Sequence, residues 1–199
     1  MIDGARGRII VVGLGPGDVD LVNARTLDAI AGTDHRFVRT TRHPSATLVA
    51  PARSFDERYE QGADLDEVYH SIAETLIAAA NEWGTVLYAV PGSPAVAERT
   101  VELLVRDSRV AVEIVPAMSF LDLAWARLGI DPIARSVSII DGQRFAADAA
   151  GRSGAMLVAQ CDSREVLSQI KLAFDDAPCD EVTILRGLGT ADEQIFSAP

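Results

Sequence analysis

Short runs of apolar and β-branched residues alternate along this chain with longer segments whose apolar positions recur every three to four residues. The short runs, Arg8–Gly13, Arg36–Thr40, Thr85–Val90, Val110–Val115, Ser136–Ile140, Ala155–Ala159 and Glu181–Leu185, read as strands. Between them, Asp64–Trp83 sets Leu65, Val68, Tyr69, Ile72, Leu76 and Ile77 on one face, and Ala95–Arg106 and Ser163–Phe174 keep the same period, so all three are predicted helices. Alternation of this kind predicts an α/β fold with largely parallel sheets. No stretch repeats itself at a fixed period, which excludes a solenoid.

The rhythm changes near Val115-Pro116-Ala117. Before it, strands and helices follow in regular order; after it, the elements are shorter and interrupted by Gly129, Pro132, Gly142, Gly151 and Gly154. This predicts an N-terminal α/β lobe over 1–115 and a C-terminal α/β lobe over 116–199. The chain ends abruptly, because Gln194-Ile195-Phe196 reads as the start of a further strand and is followed at once by Ser197-Ala198-Pro199. It therefore reads as the front module of a longer polypeptide.

Charge narrows the partners. Eighteen Lys and Arg face 29 Asp and Glu, a formal charge of −11, which argues against a nucleic-acid backbone as main ligand. The longest apolar runs are far short of the ~20 residues a bilayer requires, so no membrane span is expected. The opening residues carry Asp3, Arg6 and Arg8 without an apolar signal region, and Cys161 and Cys179 are too far apart for a C-x-x-C pair, so the chain reads as cytoplasmic with reduced thiols.

The richest stretch for chemistry is Gly13-Leu14-Gly15-Pro16-Gly17-Asp18, a glycine turn directly after a strand and before a helix expected near Val19. Such turns present backbone N–H groups where open α/β sheets bind ligands. No Lys-Ser/Thr follows, so this is not a phosphate-binding Walker loop. Asp18 stands where a dinucleotide fingerprint needs its third glycine, which counts against a nicotinamide-dependent oxidoreductase. The turn alone reads equally as close packing of strand and helix. Two similar turns follow later strands, Pro91-Gly92-Ser93-Pro94, with Pro94 suited to a first helical turn, and Pro116-Ala117-Met118-Ser119-Phe120. Parallel strands would bring all three to one edge.

In this order, Val12–Asp18, Tyr88–Pro94 and Pro116–Phe120 resemble the motifs of the tetrapyrrole (corrin/porphyrin) methylases. The likeness covers nearly the whole chain and is nearest to the methylase-like domain N-terminal to MazG nucleotide pyrophosphohydrolases, through Arg39-Thr40, His43-Pro44, Ser54-Phe55-Asp56, Tyr59-Glu60 and Val96–Thr100. The resemblance implies two α/β lobes with a cleft between them, a homodimer, and S-adenosylmethionine as cofactor. It places that cofactor against Pro16, Pro91, Gly92, Ser93, Val96, Ser119 and Phe120, with Gln160 and Gly189 from the later part of the chain. The expected activity is methyl transfer to a small anionic acceptor, a tetrapyrrole among the candidates; the other reading is a non-catalytic module that binds a ligand and regulates a linked pyrophosphohydrolase. Two departures stand out: Arg39 takes the place of an Asp near the end of the second strand, and Ala117 and Phe120 replace smaller or hydroxylated residues. No metal is implied.

The substrate side offers one further pattern. From His35 to Arg53 the chain carries Arg36, Arg39, Arg42 and Arg53 with two histidines and no acid, suited to an anion or to a solvated edge. Asp18, Arg39 and His43 are the candidate substrate contacts. Asp18 reads equally as a helix N-cap, and His43 as a residue held extended by Pro44. Tyr59 and Glu60 read as local packing and solvated charge, His70 as an ordinary helix position, and Trp83 and Trp125 as core or interface.

Overall fold

In the computed structural model, which describes residues 6–174 and 182–198, β1 (Gly7–Gly13) is an interior strand of a five-stranded sheet. The other elements of this region are α1 (Ala24–Ala31), β2 (Arg36–Val38), β3 (Arg53–Ser54), α2 (Asp56–Gln61), α3 (Leu65–Trp83), β4 (Thr85–Val90), α4 (Arg99–Arg106), β5 (Val110–Val115) and α5 (Phe120–Leu128). The strand order is β3-β2-β4-β1-β5 and every pairing is parallel. Ile9, Val11 and Val12 of β1 and Val86 through Val90 of β4 are fully buried, as strands covered on both faces must be.

The alternation of side chains divides the core in two. Ile9, Val11, Val86, Tyr88 and Val90 pack with α3 and α4, while Val12, Leu87 and Ala89 pack with Ile30 of α1 and with Ala46 and Val49 of the 3-10 turn Pro44–Val49. The predicted face of α3 is buried at Val68, Ile72, Leu76 and Ile77; Leu65, at the helix start, stays exposed. Asp64 caps this helix by accepting from Asp66 N–H at 2.7 Å, and Gly84 ends it.

Several local expectations are corrected. The segment after the first glycine turn holds only a 3-10 turn, Val19–Leu21; α1 starts at Ala24, where Asn23 accepts from Thr26 N–H at 2.9 Å. Asp18 is thus no functioning cap, since its side chain makes no capping hydrogen bond. The helix expected from Ala95 starts at Arg99, because Ala97 takes φ of 56° and breaks the helical path, so Pro94 belongs to a loop. Two short elements, β3 and α2, lack a sequence period long enough to read.

The chain divides into two compact units, one running to Leu123 and including Gly187–Glu193, the other holding Ala124–Arg186 and the residues from Gln194. In the second unit β6 (Ser138–Asp141) pairs in parallel with β7 (Met156–Ala159), accompanied by α6 (Phe145–Asp148) and α7 (Arg164–Phe174). There β8 (Val182–Arg186) and β9 (Gln194–Ala198) pair antiparallel, so the final apolar run is the second strand of a hairpin. Glu181 and Cys179 lie outside the described residues. Among the described residues no helix is long and apolar enough to cross a membrane.

Candidate functional site

The strand order sets the place of the site. The chain leaves β1 toward β2 and leaves β4 toward β5, so the two neighbouring strands send their connections to opposite faces of the sheet. A crevice forms at such a switch point, outside the C-terminal strand ends, and all three turns singled out in the sequence follow β1, β4 and β5 there.

Hydrogen bonds tie the first two turns together. Leu14 N–H donates to Val90 O at 2.9 Å, Gly15 N–H to Gly92 O at 3.2 Å, and Gly92 N–H to Gly15 O at 2.7 Å. Gly92 has φ of 63°, and a Cβ built on it would meet no atom within 4 Å. Its position therefore opens onto free space although the loop around it is packed: Pro94 and Ser93 are buried, and Val96 N–H closes a turn on Ser93 O at 3.1 Å. Pro91 and Pro16 are half-buried beside them. On the third turn, buried Ser119 spends both its N–H and its hydroxyl on Asp122 Oδ2, each at 2.7 Å, which holds the first turn of α5 starting at Phe120.

The end of the first turn has a second neighbour. Asp18 N–H donates to Gly189 O at 2.8 Å, and Gly17 lies so close to Gly189 that a Cβ would collide with the Gly189 carbonyl. Ser45 Oγ donates to Gly17 O at 2.8 Å. His43 stands just before this serine, and its Nδ1 accepts from Ser45 N–H at 3.2 Å. The neutral ring therefore carries its proton on Nε2, and this buried atom has no hydrogen-bond partner among the described residues. Burial pushes the imidazole pKa down, against the Gly15 carbonyl and Asp18, which favour the charged ring.

Arg39, following β2, is engaged rather than free. Its Nη1 pairs with Glu98 Oε1 at 2.8 Å, its Nε donates to Tyr59 OH at 3.2 Å, and its guanidinium lies 5.4 Å from the Tyr59 ring centroid. Glu98 is buried, and desolvation pushes its carboxyl up to about 7 although Arg39 pulls the other way. The adjacent Tyr88 and Thr100 hydroxyls are buried, and their geometry completes no hydrogen bond with a described residue. Tyr59 thus does more than pack locally, and Glu98, Tyr88 and Thr100 are the polar residues that sequence reasoning passed over. The only signals for them were the motifs Tyr88–Pro94 and Val96–Thr100, which carry the family resemblance and do not single out these side chains. Arg42 makes an exposed ion pair with Glu60, which agrees with Glu60 as a solvated charge, and His70 is an exposed position of α3, as read from sequence.

Gln160 sits in the second unit, directly after β7, with φ of 58°. No group of His, Cys, Asp and Glu fit to hold a metal exists among the described residues.

With this geometry in place, the similarities to known proteins become informative. The sequence model of the Tetrapyrrole (Corrin/Porphyrin) Methylases matches residues 8–199. The uncharacterized protein YabN of Bacillus subtilis (strain 168) is 34% identical over 202 residues, covering 97% of this chain and 41% of its own length. The chain thus spans less than half of that relative. Among solved structures, uroporphyrin-III-C-methyltransferase from Thermus thermophilus has a TM-score of 0.68 at 17% identity, over 96% of this chain and 82% of that one. The same enzyme complexed with S-adenyl homocysteine gives 0.66 at 18%, covering 96% and 88%. The methyltransferase CobJ gives 0.69 at 19%, covering 96% and 86%. At these identities the likeness establishes the fold.

Proposed function

Because the chain belongs to the tetrapyrrole (corrin/porphyrin) methylase family, we propose that it binds S-adenosylmethionine on the turns after β1 and β4 and transfers a methyl group to a small anionic acceptor. The observation that carries this reading is Gly92: a left-handed residue whose Cβ direction is open, on a loop hydrogen-bonded to the first glycine turn at the sheet's switch point. Such an opening admits a ligand against bare backbone. When bound, S-adenosylmethionine supplies a methyl already activated on a sulfonium, which passes to an acceptor nucleophile and leaves S-adenosylhomocysteine.

The chain's own residues then have limited tasks. Pro91, Gly92, Ser93 and Val96 with Pro16 line the turns that hold the cofactor, Ser119 and Phe120 fix the third turn, and Gly189 buttresses Gly17. Gln160 remains a cofactor contact carried by the family resemblance. His43 keeps a neutral Nε2–H donor beside the first turn. Arg39, fixed by Glu98 and Tyr59, keeps Nη2 for a carboxylate of the acceptor. Alignment of this kind is the main work left to a protein when the transferred group arrives activated. The reading includes a cytoplasmic homodimer, checked by light scattering of the purified chain.

The engagement of Arg39 by Glu98 also favours a second reading, a silent module that binds its ligand and regulates a MazG-type pyrophosphohydrolase in a longer chain. Calorimetric titration with S-adenosylhomocysteine and S-adenosylmethionine tests the first reading. Binding near micromolar affinity, about −8 kcal/mol, that vanishes in Gly92→Trp supports it. Absence of heat at millimolar ligand sinks it and leaves the module. Binding without label transfer from methyl-labelled S-adenosylmethionine to any anionic acceptor also favours the module.

A further inference from the structure

The basic stretch from His35 to Arg53 is split by the fold. Arg39 and Arg42 lie beyond the C-terminal end of β2, near the turns described above, whereas His35, Arg36 and Arg53 lie at the N-terminal edge of the same parallel sheet. Trp83, the last residue of α3, joins them there, and together with Asp34 and Phe37 they line a cavity of about 280 Å³.

Ring contacts and backbone hydrogen bonds hold the side chains of this cavity. The Arg53 guanidinium carbon lies 4.8 Å from the Trp83 ring centroid and 5.9 Å from that of Phe37. The His35 ring stacks on Trp83 at 4.4 Å with 21° between the planes. Arg36 is anchored by backbone carbonyls, its Nε donating to Thr33 O at 2.6 Å and its Nη1 to Ala50 O at 3.4 Å. The Arg53 side chain makes no hydrogen bond and no ion pair with any described residue, and the one carboxylate in the lining, Asp34, pairs with neither arginine.

An arginine whose guanidinium lies over an indole has already lost some of the rotamer freedom that anion binding costs. Elsewhere in this chain of charge −11, Arg8, Arg39, Arg42, Arg99, Arg109 and Arg144 each meet a carboxylate. Arg53 meets none, and the Trp83 and Phe37 rings fix its position. We propose that this cavity is a small-oxyanion site, in which a phosphate or carboxylate group accepts hydrogen bonds from the Arg53 fork with Arg36 as the second cation. It lies at the opposite strand ends from the Gly92 turn and does not rest on the methyl-transfer reading.

The test uses the full chain carrying Trp125→Phe, so that Trp83 is the only indole. Pyrophosphate and citrate are titrated separately at low salt, followed by fluorescence and by calorimetry. Saturable binding of pyrophosphate alone assigns a phosphate ligand, and of citrate alone a carboxylate. In either case Arg53→Gln weakens binding by about tenfold or more. Asp34→Asn, which removes the only opposing charge in the lining, tightens it. Thermal unfolding confirms that both variants are folded. No saturation by either anion at millimolar concentration overturns the proposal, as does unchanged affinity in Arg53→Gln or weaker binding in Asp34→Asn.

Discussion

Gly15 and Gly92 exchange two backbone hydrogen bonds, one in each direction, and so join the turn after β1 to the turn after β4 as a two-residue antiparallel bridge. Neither turn can move without the other, and a ligand that rests on one is positioned by both. The bridge also helps a loop with an open Gly92 Cβ direction remain ordered: backbone pairing holds it together with the buried Ser93 and Pro94.

Substitution at Gly92 separates strain from obstruction. Gly92→Ala is expected to cost about 1 kcal/mol because φ is positive, with no clash to add. Gly92→Trp should lose a similar amount, since its side chain points into open space. Denaturant midpoints of the two variants check this; a much larger loss for the tryptophan would show the position closed.

Gly17 should behave in the opposite manner. A Cβ there collides with the backbone of Gly189, which cannot rotate away as a side chain would. Gly17→Ala is therefore expected to cost about 3 kcal/mol and to break the bond from Asp18 N–H to Gly189 O. A chemical unfolding curve within about 0.5 kcal/mol of the parent would contradict this contact.

These positions also show which parts of the fold can be read from sequence. β1 and β4 were legible because strands with both faces covered must be apolar throughout or nearly so, and the glycine turns after them were legible because they follow such strands directly. β5, an edge strand with Ala111, Glu113 and Ile114 exposed, was legible from its β-branched run. β3 and α2 were not, since Arg53–Gln61 is held by tertiary contacts. Phe55 stacks on Phe37 at 5.6 Å, and Asp56 gathers the Thr41 N–H and the Thr41 and Ser54 hydroxyls on one oxygen. The start of α4 was misread for a similar reason: Ala95–Glu98 has helical composition, but Glu98 pairs with Arg39, 59 residues earlier, and Ala97 takes up the turn. The approach of Gly189 to Gly17 has no local signal; the family resemblance named Gly189 only as a cofactor contact.

Burial of Glu98 predicts a pH dependence with a definite sign. The folded carboxyl titrates near 7 and the free one near 4.5, so between these values the native chain holds more protons than the unfolded chain. Its contribution to stability is complete below about pH 4.5 and is lost as pH rises through about 7. Glu98→Gln removes that component. The difference in unfolding free energy between parent and variant should change by on the order of 3 kcal/mol from pH 4.5 to 7.5. Urea titrations across this range give the answer, and parallel curves for the two proteins would refute it.

His43 predicts the opposite slope and a tautomer. Its folded pKa lies below the usual 6.5 because the ring is desolvated. The neutral native ring then binds fewer protons than the unfolded one, so its contribution is present above pH 6.5 and is lost as pH falls. The acceptor role of Nδ1 toward Ser45 N–H places the neutral ring's proton on Nε2. Asp18 favours the charged ring, so Asp18→Asn should lower the titration midpoint further. Nitrogen-15 NMR of labelled histidine reads all three quantities at once. A midpoint at or above 6.5, a proton on Nδ1, or a midpoint that rises in Asp18→Asn would each show that the imidazole is not held as the geometry describes. A protonated His43 at neutral pH would also be a cation beside the Gly15 turn, where the proposed function requires a neutral donor.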